Sequence, residues 1–232
     1  MIASGPANSL QLYGGAWVGY DVEVMARSDV QLMLEVKQGD EASFQLLLER
    51  YRTPLCHFLS RMVRDAAMAE DLAQDVFLRV YRARKDYKPS AKFTTWLFRI
   101  ATNLALNAIR DGRSRQLEDS LDEPQEGEDG RMMGLEVADG EPGVLQRMIE
   151  HDRAAAIRRV VLALPEKQRA AVLLHKYHEM DYDDIARILD CSVSALKSLL
   201  FRAYETLRVQ LAPMVAAASA VPLKGVVGGR LS

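Results

Sequence analysis

Ser194, Lys197, Ser198 and Arg202 recur at spacings of three and four residues. On a helix that spacing gathers side chains on one face. Two hydroxyls, an ammonium and a guanidinium then offer donors to phosphate oxygens and base edges. The opposite face would carry Val193, Leu196, Leu200, Ala203 and Leu207, the i, i+3, i+4 stripe of a buried side. Ser192 stands before them as an N-cap. A second apolar pattern, from Asp183 to Leu189, ends about three residues upstream. Two helices joined by so short a polar break cross steeply, as in a helix-turn-helix. A solvated corner of a packed domain would use the same residue types, and Leu199 falls awkwardly on the outward side.

A second chemical signal lies between Tyr81 and Arg110. Here Arg82, Arg84, Lys85, Lys88, Lys92 and Arg99 alternate with Tyr81, Tyr87, Phe93, Trp96 and Phe98. Cations track a nucleic-acid backbone, and aromatic faces stack unpaired bases. Asn103 and Asn107 sit four apart, on one helix face, where their amides can reach exposed base edges. Phe93 and Trp96 fit equally well as core residues beneath an ordinary basic surface.

The bulk composition sets bounds. The chain has 232 residues, 49% of them hydrophobic, enough for one large domain or two small ones. Its net charge of -2 conceals a basic stretch and an acidic one. Acids dominate from Glu118 through Asp122, Glu126, Asp129 and Glu141 to Asp152. Two separated cysteines, Cys56 and Cys191, make no disulfide framework and fit a reducing cytoplasm. The four histidines form no recognisable ligand set; only His175 and His178 share a spacing that could place them on one face. No apolar run is long enough for a membrane helix, so no membrane insertion is expected. No nucleophile with a base, metal cluster or phosphate-cradling glycine loop argues for an enzyme, and no cofactor is expected.

The elements that would position these residues are all helical. Residues 1–27 are glycine-containing and polar, and read as disordered. Asp29 is expected to cap a first helix ending at Gly39. Asp40 opens a second, and Pro54 a third that runs from Leu55 to Val63. Asp65 to Ala69 reads as a link before a helix from about Ala69 to Ala83. Phe93 to Ile109 follows. Gly112 and the acidic, glycine-rich stretch after it read as a tether through residue 143. Helical pattern resumes near Val144, with Arg153–Leu164, a helix after Pro165 and then the helix pair. Beyond Pro213 the tail reads as frayed. The expectation is two small all-α domains, 28–112 and 144–212, with an acidic linker over 113–143 and a flexible tail over 213–232.

Both signals, in this order, resemble one family. "AEDLAQDVFLRVYRA" (69–83), "KFTTWLFRIATNLALNAIR" (92–110) and "LPEKQRAAVLLHKYHEMDYDDIARILDCSVSALKSLLFRAYETL" (164–207) resemble bacterial RNA polymerase sigma factors of the extracytoplasmic-function (ECF) group. The resemblance implies a promoter-specificity subunit that binds core RNA polymerase at its clamp helices and flap. Asp71, Gln74, Asp75 and Phe77 match the clamp-docking segment. Lys92, Phe93, Thr94, Thr95 and Trp96 match the loop that pockets a flipped minus-10 base, and Arg99, Asn103 and Asn107 continue that site. Ser194, Lys197, Ser198 and Arg202 match the minus-35 recognition helix. Leu199 departs from the basic residue that many relatives carry. The resemblance also implies cytoplasmic action and an anti-sigma partner, and gives the acidic linker a place in the polymerase RNA path. Two other readings remain open: a helix-turn-helix regulator that binds duplex DNA alone, and a protein-interaction module.

Overall fold

A computed structural model describes residues 27–119 and 144–219. The expectations for most of the N-terminal extension, for the acidic tether from residue 120 and for the last residues of the tail lie outside them. The described residues are helical, with no strand. The helices are α1 (Asp29–Gln38), α2 (Glu41–Met62), α3 (Ala66–Arg82), α4 (Phe93–Asp119), α5 (Val144–Ala163), α6 (Glu166–Tyr177), α7 (Tyr182–Leu189) and α8 (Val193–Ser219), with a 3₁₀ turn at Ala83–Asp86. The first four form one half of the molecule and the last four the other.

The cap of α1 is Ser28, not Asp29. The Ser28 hydroxyl accepts from the Gln31 amide, and the Gln31 side chain accepts from the Ser28 N–H. That closes a capping box. Asp29 is thereby freed to accept from Arg50 and from the Tyr51 hydroxyl, tying α1 to α2. Burial and the Asp29 carboxylate push the Tyr51 hydroxyl pKa up, so it remains a donor. Gly39 ends α1 at φ 101°, a left-handed conformation that costs glycine nothing, and its N–H reaches back to Glu35 and Val36.

Three expected breaks, at Pro54, Gly112 and Pro213, are absent, and the link expected from Asp65 to Ala69 is shorter. Pro54 lies inside α2, which runs through it to Met62. A mid-helix proline costs about 3 kcal/mol, but Leu47 before it and Leu55, Phe58, Leu59 and Met62 after it are all buried and hold the helix together. Asp65 is the side-chain cap of α3, not part of a link, and accepts from the Ala67 and Met68 amides. Gly112 does not end α4, which continues to Asp119, and α8 continues through Pro213 to Ser219. Glycine in a helix costs only about 1 kcal/mol.

The two halves pack against each other through several side-chain contacts. Arg169 of α6 is 6% exposed. Its guanidinium donates to the Met62 carbonyl at the end of α2 and to the carbonyls of Leu162 and Leu164 in its own half. His178, after α6, lies 4.4 Å from the Phe98 ring and 5.8 Å from Phe58, centroid to centroid. Arg61 stacks over Tyr177 at 4.8 Å. Lys92 Nζ lies 2.9 Å from Asp181 and 2.8 Å from Asp184. Arg113 pairs with Glu166 alongside.

Burial, and then the charges of Arg61 and His57, press the His178 pKa from 6.5 down to about 4. His57 is lowered in the same direction by burial and Arg61. A depressed histidine stabilises the packed state only while neutral. That contribution is complete above about pH 6.5 and is lost as pH falls toward 4. Small-angle scattering should therefore show the halves loosening over this window, while helicity by circular dichroism persists. His178→Phe should remove most of the pH dependence; an unchanged transition would assign it to other groups.

Candidate nucleic-acid interface

The helix-turn-helix is built by backbone geometry at three residues. Asp190 ends α7 in the left-handed region at φ 50° and donates its N–H to the Ala186 carbonyl. Aspartate tolerates this conformation better than most non-glycine residues. The Cys191 N–H also bonds Ala186. The Ser192 hydroxyl then accepts from the Ala195 amide at 3.1 Å and starts α8. The chain thus stops one helix and begins the next across three residues, of which Asp190 and Ser192 are exposed and Cys191 is half-buried.

In α8, Leu196, Leu200 and Ala203 are buried, and Val193 and Leu207 pack half-buried beside them. Ser194, Ala195, Lys197, Ser198 and Arg202 are exposed, as their spacing required. The Ser198 hydroxyl donates to the Ser194 carbonyl, and Arg202 Nε to the Ser198 carbonyl. Leu199 is half-buried, on the flank, and is not the outward apolar group that its position implied. That group is Phe201, 69% exposed. A pattern of hydroxyls and cations does not by itself point to an aromatic ring among them. The signal was present: Phe201 is out of phase with the buried stripe and four residues from Lys197.

The aromatic segment divides differently from its sequence pattern. Tyr87, Phe93 and Phe98 are buried, and Trp96 is half-buried. Trp96 stacks on Tyr87 at 5.1 Å and lies 6.0 Å from Phe93, which in turn meets Tyr51 at 5.4 Å. These rings form a floor beneath the segment from Lys88 to Lys92, and Lys37 donates to the Tyr87 carbonyl at 3.0 Å to hold it. The expectation that Phe93 and Thr95 present themselves to a base is corrected. Both are in the core, 2% and 3% exposed. Thr94 is half-buried. Lys92, Arg99, Asn103 and Asn107 are exposed, the last three at steps of four along α4. Asn107 accepts from Arg110 at 3.2 Å.

Along α3, Asp71, Gln74 and Asp75 are exposed and share a face. Phe77 does not join them: it is 6% exposed and packs inward. A helix turns about 100° per residue, so the next position, Leu78, comes round to that face and is 48% exposed. The face is therefore carboxylates and an amide around an apolar centre.

His175 and His178 are not brought together as ligands. His175 Nδ1 pairs with the Tyr204 hydroxyl at 2.8 Å, while His178 lies among phenylalanines. Among the described residues no cluster of histidine, cysteine and acidic side chains could hold a metal, and no helix is long and apolar enough to cross a membrane.

Comparison with known proteins follows the same division. Residues 47–115 match Sigma-70 region 2, and residues 154–207 match Sigma-70 region 4. The RNA polymerase sigma-H factor of Pseudomonas aeruginosa is 33% identical over 188 residues, which span 81% of this chain and 95% of that protein. The ECF RNA polymerase sigma-E factor of Escherichia coli is 30% identical over 190 residues, covering 81% and 96%. The chain belongs to the ECF sigma factors. Solved structures agree on the fold. CnrH in complex with the cytosolic domain of CnrY covers 81% of this chain and 99% of its own at TM-score 0.57 and 21% identity. The RpoE–NepR complex from Bartonella quintana covers 73% and 96% at 0.56 and 24%. As an ECF sigma factor, this chain directs RNA polymerase to promoters and is not of a family known for catalysis. The first half of the molecule contains its region 2 and the second its region 4.

The inward Phe77 and outward Leu78 of this sigma factor have distinguishable energetics. Phe77→Ala should destabilise region 2 by about 3–5 kcal/mol. Leu78→Ala should change stability by no more than about 0.5 kcal/mol. Chemical denaturation followed by circular dichroism checks both; equal losses would place both side chains in the core.

Proposed function

We propose that the two exposed polar stripes are two separate DNA readers of different kinds. The observation that supports this best is their difference in chemistry. The α8 stripe, Ser194, Lys197, Ser198 and Arg202 around Phe201, combines cations with hydroxyls and an apolar ring. Such a helix fits the major groove of an intact minus-35 duplex, where Phe201 meets thymine methyls. The α4 stripe, Arg99, Asn103 and Asn107 with Lys92 and Trp96 at its start, is amide-rich. It suits the exposed edges of melted minus-10 bases. Phe93 and Thr95 act from beneath, by fixing the floor that shapes this site. The Asp71, Gln74, Asp75 and Leu78 face of α3 is the polymerase clamp contact. Region 2 spans residues 28–112 and region 4 residues 144–212 in this reading. The acidic segment between them mimics nucleic acid in a cationic channel of polymerase.

The reading assigns no catalysis and a cytoplasmic site of action. It also includes an anti-sigma partner, since the similar RpoE of Bartonella quintana is in complex with the anti-sigma factor NepR.

Three variants should fail in three ways. Gln74→Ala with Asp75→Ala should weaken core polymerase binding and leave helicity unchanged. Lys197→Ala or Arg202→Ala should lose about 1–3 kcal/mol of minus-35 recognition. Asn103→Ala should impair opening or minus-10 selectivity and spare binding of a minus-35 duplex. Holoenzyme assembly by gel shift, and permanganate footprinting of the melted region, separate these outcomes. A shared defect across all three would overturn the division into two readers and a docking face.

A further inference from the structure

We propose that the cleft between α2 and the end of α6 is a binding site for a small phosphate monoester, its phosphate held by Arg61 and His57 and its organic body received by Tyr177 and Pro54. The site shares no residue with the two DNA stripes or with the α3 face, and it does not depend on the reading given to them.

The first support is a formed cavity. Thr53, Pro54, His57 and Arg61 line one wall, and Tyr177 and His178 the other, around a volume of about 360 Å³. Small-molecule sites begin at roughly 300 Å³. Thr53, His57 and Arg61 stand at steps of four, so α2 offers a hydroxyl, an imidazole and a guanidinium along one face. Pro54 and the Tyr177 ring add apolar surface, and Tyr177 is 48% exposed.

The second support is charge without a counter-charge. Elsewhere between the halves the cations have acids: Lys92 has Asp181 and Asp184, Arg113 has Glu166, and Arg169 has Glu166 beside it. The Arg61 end differs. Among the described residues no carboxylate forms an ion pair with Arg61 or Arg158. Arg61 donates to the His57 carbonyl at 3.1 Å and lies over Tyr177 at 4.8 Å. A guanidinium has five N–H donors, and that hydrogen bond uses one. Arg158 of α5 is half-buried near it, and burial and the Arg61 charge both lower its affinity for its proton. His57 and His178 are lowered by burial and by positive neighbours alone. A cluster of like charges held partly out of water is relieved by an anion.

The chemistry selects the class of anion. Two guanidinium charges beside two imidazoles exceed what one carboxylate balances, whereas a phosphate monoester carries about −1.5 to −2 at pH 7. The planar guanidinium fork matches phosphate oxygens two at a time. Inorganic phosphate alone would leave the Tyr177 and Pro54 side of the cavity unfilled, so an ester with a flat apolar body fits it better.

The test uses the full-length chain, with inorganic phosphate and phenyl phosphate as probes. By the imidazole proton resonances of the four histidines, either probe should move His57 and His178 and leave His151 and His175 in place. Phenyl phosphate should bind about three- to tenfold more tightly than inorganic phosphate, as one added aromatic contact allows. Arg61→Gln should weaken both by about tenfold or more, through loss of a charge-assisted contact. Because that change also removes the stack on Tyr177, Arg158→Glu is the second variant: it sets a carboxylate beside Arg61, where the charge of the ligand would go. It should raise the melting temperature of the unliganded chain and abolish the response to both probes. No movement at millimolar probe, movement of all four histidines alike, or equal affinity for the two probes would overturn the site. So would Arg158→Glu that melts lower than wild type or still binds.

Discussion

Arg169 carries a charge that it cannot lose, in a place with almost no water. A buried guanidinium is tolerable only where its donors meet oxygens, and removing such partners costs several kcal/mol. Here the oxygens are backbone carbonyls drawn from both halves: Met62 at the end of α2, and Leu162 and Leu164 at the bend between α5 and α6. Burial lowers its pKa, and Glu166 beside it opposes that shift. The contact fixes where α6 starts relative to where α2 stops. Everything else between the halves follows from that registration. With α6 set against α2, Tyr177 falls under Arg61, and His178 falls between Phe58 and Phe98. The start of α7 then arrives at Lys92.

The interface so formed is polar at its edges and apolar at its plug, unlike a domain core. Arg61, Arg158 and His57 crowd together on one side, and each lowers a neighbour's affinity for its proton or has its own lowered. Like charges held this close make the packing conditional. It persists while His178 is neutral. Surface ion pairs such as Lys92–Asp181 are individually worth about 1 kcal/mol or less. The packing of the two halves is therefore the sum of several modest terms.

Much of this fold was legible from periodicity alone. The apolar stripes of α3, α4 and α8 appear where the spacing of Val76, Leu97, Leu196 and Leu200 puts them, and Ser192 caps as its type implies. What sequence could not decide was every local rule that a long-range contact overrides. Pro54 reads as a break until the burial of residues on both sides of it is known. Asp29 reads as a cap until Arg50 and Tyr51 are seen to claim it. The same limit governs the site. Spacing placed Lys197, Ser198 and Arg202 outward correctly, because a helix face is a local property. It could not tell which rings of Phe93, Trp96 and Phe98 were floor and which were surface, since that depends on Tyr51 and Tyr87 lying opposite.

Asp181 shows how one residue serves two incompatible geometries. Its backbone is extended, as an N-cap requires, but its carboxylate is turned to Lys92 and away from the amides it would otherwise cap. A residue chosen only for capping would face its own helix, and one chosen only for a salt bridge would not need the N-cap position. Lys92 is similarly placed, at the entry to α4, where a loop held by Lys37 and floored by aromatic rings fixes its backbone. Because both partners sit on rigid helix starts, the pair forms without ordering a flexible loop, and the entropic cost that weakens most exposed ion pairs is reduced. The backbones are fixed by the helix starts while the four-carbon stem of Lys92 stays compliant, so the pair helps to locate the start of α7 without clamping it.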